Sequence, residues 1–447
     1  MSPAPSPLQT HIVFLGAGSA SFGPTLLGDL FAEAEALRGS TVWLVDANAE
    51  AAETMLRYAQ RINAALDSPF VLRATTDRRE ALLGAAAVIV SVAVDRLETW
   101  KLDWQIPLRH GVRHVLGENA GPGGLSHALR SIPLVLDIAR DVEQRAPRAW
   151  VILLTNPLSR VAMALDRYTR VRWVGLSRSI DEGYLLVNRA LGLVPETGDR
   201  VADLLAARQR LRITAAGLNR FTFILDVRDA QTGADLYPAL RARLAHMPPD
   251  FAPLSRRLLD LFGLFCAVGD EHAGEYVGFA AEVLPLRGFD FTGYARRRES
   301  LWSQIRAVAE GSAPLALARA VQRSSVRVVP VLLALLHSAN QYEDAVNIRN
   351  GGCISNLPED AIVEVPALVS ATGAHGVHVG ALPRALASVM RREVDIQALV
   401  VEAAVHGDRN AALQALLLDP HVHSYAQAAH LLDDLLRAHA RHLPQFA

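Results

Sequence analysis

The stretch HIVFLGAGSASFGPTLLGDL, residues 11–30, leaves a chain few choices of fold. A short apolar run, His11 to Leu15, reads as a buried parallel strand. It runs straight into Gly16-Ala17-Gly18-Ser19, after which Leu26, Leu27 and Leu30 recur at helical spacing. Strand, glycine turn and helix in that order make a Gly-x-Gly meaningful. Gly16 permits the tight turn. Gly18 leaves room for a pyrophosphate on backbone N–H groups at a helix N-terminus, where the dipole favours negative charge. The usual third glycine is absent: Ser21 stands there, followed by Phe22 and Gly23. The next apolar run, Thr41 to Val45, ends in Asp46. An acid there can bond both ribose hydroxyls of an adenosine and would repel a 2′-phosphate. NAD rather than NADP is therefore the expected cofactor, with Gly16, Gly18, Ser19, Phe22 and Asp46 as binding residues.

Further along, strands are expected at 11–15, 41–45, 69–74, 87–92, 112–116, 149–154 and 171–175. Helices such as 124–145 lie between them. This alternation predicts an α/β fold: a Rossmann-type, doubly wound parallel sheet whose ligands sit at the carboxyl ends of the strands. Three polar clusters fall at those ends: Ser91 to Asp95, Gly117 to Gly124 and Thr155 to Ser159. In GENAGPGG (117–124), four glycines and a proline precede a long amphipathic segment. The loop either is merely mobile or closes over the nicotinamide and a sugar, with Asn119 on the cofactor. Asn156 of the TNP cluster can donate and accept toward a carboxamide or a sugar hydroxyl. His127, just inside the following helix, either reaches substrate or packs there.

Beyond Gly183 the pattern changes. Residues 210–238 alternate apolar and polar and read as antiparallel strands with a hairpin near Gln231-Thr232-Gly233. Residues 238–320 read as helical and 321–440 as mixed. The expected organisation is a disordered tail at 1–10, a Rossmann NAD-binding domain at 11–183, and an α+β substrate and catalytic domain at 184–447. The whole resembles the lactate and malate dehydrogenase architecture.

Composition narrows the partners. The 447 residues exceed one ordinary domain, and 51% hydrophobic against 20% charged residues suits large cores. A net charge of −1 gives no ground for a nucleic-acid or membrane partner. Cys266 and Cys353 cannot make a disulfide framework and lack zinc-ligand spacing. MSPAPSPLQT lacks the apolar core of a signal peptide, and no apolar run approaches the length of a membrane span. The expected compartment is the cytoplasm. Large apolar helices in the second half predict a homodimer or homotetramer.

Taken together, GAGSASF, GENAGPGG, TNP, GLSRSIDEG, GLNRFTF, GDEHAGEY, ISNLPEDAIVEVPA and LQALLLDP resemble glycoside hydrolase family 4, the NAD-dependent glycosidases, over almost the whole chain. The resemblance implies a chemistry unlike the usual paired-carboxylate glycosidase. Hydride leaves C3 of the sugar to NAD, the ketone acidifies the C2 proton, the aglycone is eliminated from C1, water adds, and hydride returns. By the family pattern Tyr276 would remove the C2 proton. Asp270, His272 and Glu275 of the same motif would touch sugar hydroxyls or assist the leaving group. Asn347, Asn350, Asn356 and Glu364 lie in a similar Asn/Gly-rich stretch and would contribute to the pocket floor or an oligomer contact.

The resemblance also implies a divalent metal, typically manganese, held by a cysteine in a G-L-C-H type motif and a histidine in a G-L-N-H-F motif. This sequence departs there. It reads Gly175-Leu176-Ser177-Arg178 and Gly217-Leu218-Asn219-Arg220-Phe221. A serine hydroxyl is a poor transition-metal ligand, and a guanidinium offers donors only. The expectation is a metal-independent relative. Arg178 and Arg220, with Asn156, Asn219 and Glu275, would bind an anionic sugar, or the arginines would replace the cation's charge on a developing oxyanion. A metal-free, NAD-using branch related to this family hydrolyses sulfoquinovosides, which makes a C6 sulfonate the leading substrate. The alternatives are a metal-dependent α-glucosidase, α-galactosidase or α-glucuronidase of the family, a plain NAD-dependent sugar dehydrogenase, and a non-catalytic NAD sensor.

Overall fold

The computed structural model describes residues 9–285, 288–315, 325–337 and 340–447. The tail expected at 1–10 falls almost wholly outside the described residues.

Six parallel strands form the N-terminal sheet: β1 (His11–Leu15), β2 (Thr41–Val45), β3 (Val71–Thr75), β4 (Ala87–Val90), β5 (Trp150–Leu153) and β6 (Arg172–Gly175). Their spatial order is β3-β2-β1-β4-β5-β6, with the order reversing at β1 and β4. The cause is visible in the strands themselves. Ile12 and Phe14 of β1 enter one core, Val13 and Leu15 the other, and all four are buried. A strand buried on both faces needs helices on both sides, which parallel crossovers supply. Helices Phe22–Ala32, Ala49–Ala64 and Val328–Leu336 cover one face. Helices Gly121–Arg145, Leu158–Tyr168 and Arg384–His406 cover the other.

The sheet does not stop at β6. Antiparallel strands β7 (Leu211–Leu218), β8 (Phe221–Asp229), β9 (Phe265–Cys266), β10 (Gln341–Arg349), β11 (Ile362–Ser370) and β12 (Gly373–Gly376) extend it. They follow in the order β10-β11-β7-β8-β9, with β12 beside β11. A single pairing, Asn347 against Gly175, joins β10 to β6. The Rossmann-type sheet with an α+β second half is thus the architecture read from the sequence. Among the described residues, no helix is long and apolar enough to cross a membrane.

One local expectation is corrected and another is extended. Residues 112–116 form no strand. They line the approach to the long helix at Gly121, and their carbonyls are taken by side chains: Trp100 Nε1 donates to Leu116 O and Trp104 Nε1 to Val115 O. The main hairpin turns at Asn219-Arg220, between β7 and β8. Gln231 to Gly233 form the expected smaller hairpin at the far end of β8, where Arg228 pairs antiparallel with Asp235; Asp229 Oδ1 staples its turn, accepting from the N–H groups of Gln231 and Thr232.

The segment 439–446 grips the N-terminal half. Arg441 donates to Asp95, Gln445 to Leu129 O, and His439 lies 2.9 Å from Asp103. Asp95 opens the helix Arg96–Arg109 and is held in a left-handed conformation at φ 39°.

Candidate active site

The glycine turn is built from backbone. Gly16 and Ala17 donate to Val45 O, at 2.9 and 3.1 Å, so the turn is tied to the end of β2. Gly16 has φ +89°, and a Cβ there would meet Ser91 O at 2.0 Å. No L side chain fits both conditions. Gly18 N donates to Asp46 Oδ2 at 2.8 Å, and Asn48 N to Asp46 Oδ1 at 3.0 Å. Asp46 is thereby fixed across the turn. The helix Phe22–Ala32 has no acidic residue in its first turn, leaving its N-terminal dipole to a ligand. The third glycine exists after all: it is Gly23, not position 21. A Cβ on Gly23 would sit 2.5 Å from Ala17 O, so this residue permits the close packing of helix on turn.

One cavity of about 1720 Å³ receives this turn and the residues that the family resemblance marks. It is lined by Gly16, Gly18, Ser19, Phe22 and Asp46, and by Asn156, Arg178, Arg220, Asp270 and His272. Glu118 and His127 line it too.

Arg178 follows β6 and directly precedes the helix Ser179–Leu191. Its guanidinium lies over the Phe22 ring, 5.9 Å from the centroid, which links the cofactor turn to this wall. Arg220 sits at the two-residue tip between β7 and β8, in the left-handed region at φ +62°. Ser179 joins the two motifs: its Oγ lies 2.9 Å from Ser177 Oγ and accepts from Arg220 N and Asn219 Nδ2, each at 3.4 Å. Beneath the tip, buried Glu364 accepts from Asn219 Nδ2 at 2.8 Å, Thr222 Oγ1 at 2.9 Å and Asn347 Nδ2 at 3.0 Å. Burial raises the Glu364 carboxyl above its ordinary range, and the three donors act against that. Asn350 and Asn356 bond only backbone carbonyls and amides of their own region.

Neither guanidinium has an ion pair or a side-chain hydrogen bond among the described residues, and Arg220 Nε is buried without a partner. Burial, then the charge of Arg220, lowers the Arg178 pKa. Two like charges facing one cavity disfavour each other, and the carboxylates of Asp181, Glu118 and Glu364 offset part of that.

Glu118 sits at the centre of the cavity's charges. It pairs with Arg96 and accepts from Asn156 Nδ2 at 3.3 Å. Burial pushes its carboxyl up, but Arg96, His272, Arg220 and His127 outweigh this and hold it down to about 2. It is a fixed anion. His127 Nδ1 lies 3.0 Å from Glu118 O, and burial, with Arg96 and Arg130, lowers that imidazole to about 4.

Four expected site residues are not in the cavity lining, and a fifth, Asp270, lines it with its carboxylate engaged elsewhere. Tyr276 is buried, its hydroxyl donates to Asn219 O at 2.8 Å, and its ring stacks on Phe221 at 4.8 Å. Burial, then Glu393 and Glu275, raises its pKa well above the ordinary value. Asn219 turns its amide to Glu364 and Ser179 rather than to a sugar. Glu275 is 2% exposed, and its Oε2 accepts from the N–H groups of Glu118 and Asn119 at 2.7 Å each. Asn119 donates its own amide to Glu275 Oε1 at 3.2 Å, which ties down the loop, and it is not among the residues lining the cavity. Asp270 lines the cavity, but its carboxylate caps the helix Pro253–Phe262, accepting from Leu254 N, Ser255 N and Ser255 Oγ at 2.8, 2.8 and 2.6 Å.

Manganese does not fit the donors present. The two positions that the family resemblance assigns to ligands carry a hydroxyl and a guanidinium. Among the described residues, no three His, Cys, Asp or Glu side chains stand close enough together to hold a metal ion. Sequence reasoning missed Arg96, Glu118 and Gly23. For Glu118 and Arg96 the available signal was a carboxylate inside a glycine loop and an arginine just after a strand-end polar cluster; for Gly23, the small residue two positions late.

Comparison with known proteins follows the same lines. Residues 11–183 match the family described as Family 4 glycosyl hydrolase, and residues 215–422 its C-terminal domain. An α-glucosidase of Erwinia rhapontici is 35% identical, the match covering 92% of this chain and 94% of that one. An α-galacturonidase of Bacillus subtilis is 28% identical over 96% and 97%. The crystal structure of a 6-phospho-α-glucosidase from gut microorganisms, in complex with NAD and Mn²⁺, superposes with a TM-score of 0.82 over 98% of this chain and all of that one. At 20% identity it shows the shared fold.

Proposed function

The chain belongs to family 4 of the glycosyl hydrolases, and on that premise we propose that it is an NAD-dependent glycosidase that cleaves an anionic glycoside without a metal. The observation that carries this reading is the pair Arg178 and Arg220, unpaired among the described residues, in the cavity that also receives the glycine turn.

NAD fits the residues present. Gly16, Gly18, Ser19 and Phe22 would hold the pyrophosphate at the helix N-terminus, and Asp46 the adenosine ribose. When bound, NAD supplies the reversible removal of hydride from sugar C3. Everything else falls to the protein. Arg178 and Arg220 orient the substrate by its anionic group and place donors beside the oxygen that gains charge as C3 becomes a ketone. Asn156, fixed by Glu118, offers its remaining amide capacity to a sugar hydroxyl or the carboxamide. Glu118, ionised and locked to Arg96, keeps the cavity from becoming wholly cationic.

A guanidinium pair suits a tetrahedral sulfonate or a planar carboxylate. A sulfoquinovoside, with its C6 sulfonate, is the leading substrate, and a hexuronide the next. The α-glucosidase relative supports a second reading, a neutral α-glucoside, in which the arginines serve the oxyanion alone. A plain dehydrogenase would accumulate NADH with turnover, whereas a glycosidase only recycles it.

The test is hydrolysis of aryl sulfoquinovoside, glucuronide, galactoside and glucoside with added NAD, with and without EDTA. Hydrolysis of an acidic glycoside that needs NAD and ignores EDTA is the expected result. Activity abolished by EDTA and restored by manganese would overturn the metal-free reading. NADH accumulating on free sugars without hydrolysis would move the protein to the dehydrogenases.

A further inference from the structure

Elimination needs a base at sugar C2, and the tyrosine that the family resemblance suggests for it is otherwise engaged: Tyr276 donates to Asn219 O and stands outside the cavity lining. The carboxylates of the cavity are poor substitutes. Asp270 and Asp77 cap helices, Asp46 holds the N–H groups of Gly18 and Asn48, and Glu118, Glu182 and Asp95 are paired with Arg96, Arg200 and Arg441. Glu98 and Glu271 are exposed to solvent. A carboxylate in water, or held by an arginine, is too weak a base to take a proton from carbon efficiently.

His272 is placed differently. It lines the cavity, and its Nδ1 lies 3.3 Å from Glu275 Oε1. A carboxylate at Nδ1 assigns the proton to that nitrogen and the lone pair to Nε2. Nε2 has no hydrogen-bond partner among the described residues. Glu275 is itself immobilised, because its Oε2 accepts from the N–H groups of Glu118 and Asn119. A buried carboxylate that orients an imidazole, and leaves the far nitrogen open to a cavity, is a common construction for a general base.

We propose that His272 Nε2 removes the C2 proton of the glycoside, with Glu275 as the residue that positions it. The inference rests on the glycosidase reading above. Once C3 is a ketone, the C2–H bond breaks and its proton passes to Nε2. The electrons of that bond form the C1=C2 double bond as the C1–O bond breaks, and the aglycone leaves with the electron pair of the latter. Water then adds: its hydroxyl goes to C1, the imidazolium returns its proton to C2, and the second proton of the water ends on the aglycone. The C3 ketone is finally reduced by the hydride held on the cofactor.

The experiment uses the full chain loaded with NAD and whichever aryl glycoside the parent hydrolyses. His272→Ala is expected to lower kcat about 10²–10⁴-fold. NAD affinity, followed by quenching of protein fluorescence, should stay unchanged, and NADH formed in the first turnover should persist because oxidation precedes the blocked step. Added imidazole should restore part of the rate. Tyr276→Phe should lose far less. Diethyl pyrocarbonate should modify His272 in the parent, read by mass, and substrate should protect it. Glu275→Gln should lower kcat more than it changes KM. Activity of His272→Ala within tenfold of the parent would overturn the proposal, as would a larger loss in Tyr276→Phe. Failure of the parent to hydrolyse any of the glycosides would overturn the functional reading and this one with it. Hydrolysis intact in both parent and His272→Ala overturns this one alone.

Discussion

Gly16 to Gly23 and Ser177 to Arg220 face the same cavity, yet they supply it in opposite ways. The first region offers backbone: N–H groups, a helix terminus, and glycines whose missing side chains make room. The second offers side chains: two guanidiniums carried on tight local structure, one of them at a hairpin tip with φ +62°. A backbone site tolerates no added atom. A side-chain site can be rewritten by changing two residues while the scaffold stays as it is, and Ser177 and Arg220 stand at the two positions where the family resemblance implies metal ligands.

The strongest test of this contrast is Gly16→Ala. A methyl 2.0 Å from Ser91 O, on a backbone at φ +89°, should cost about 3–5 kcal/mol of stability. Thermal unfolding should show a Tm lower by many degrees and no further stabilisation by NAD. A near-parental Tm with NAD binding intact would break the claim that this wall is made of backbone.

Next come the arginines. Arg178→Met and Arg220→Met should each lower kcat/KM for an acidic aryl glycoside by about 10³-fold, and for a neutral one by less than tenfold. Equal losses on both would show that the arginines serve the oxyanion rather than the substrate's own charge. The converse change, Ser177→Cys together with Arg220→His, should create manganese affinity measurable by calorimetry and an activity that EDTA removes.

A smaller effect is expected at the ribose. Asp46→Ala should weaken NAD by about 10–10²-fold, as two charge-assisted hydrogen bonds are lost, and should narrow the preference over NADP. Unchanged affinity in a binding titration would remove Asp46 from the cofactor wall.

The smallest concerns the packing beneath the sugar wall. Folded His127 holds its pKa near 4, below its ordinary value of 6.5. Between those values the unfolded chain binds a proton that the folded chain refuses, so stability falls as pH drops from about 6.5 towards 4. Between pH 6.5 and about 5 the urea midpoint should decline by an amount equivalent to about 1–2 kcal/mol, and His127→Asn should flatten the decline.

The same contrast explains what was legible in the sequence. The parallel strands and the cofactor turn follow from local patterns, because an apolar run and a glycine spacing are themselves the structure. Ser177 and Arg220 were legible as departures from a resembled motif. The roles of Tyr276, Asn219 and Glu275 were not. Each belongs to a functional motif, but whether a side chain enters a cavity depends on partners far along the chain: Glu364 for Asn219, the 118–120 loop for Glu275. Residues 112–116 have the apolar look of a strand, yet two tryptophans take the carbonyls of Val115 and Leu116 instead.

The grip of segment 439–446 on Asp95 and Asp103 also has a consequence in time. Arg441 leaves the ribosome 346 residues after the aspartate it binds. The helix opening at Asp95 carries Arg96, and Arg96 holds Glu118 in place. The hold on the cavity's central carboxylate is therefore completed only when the last residues of the chain dock.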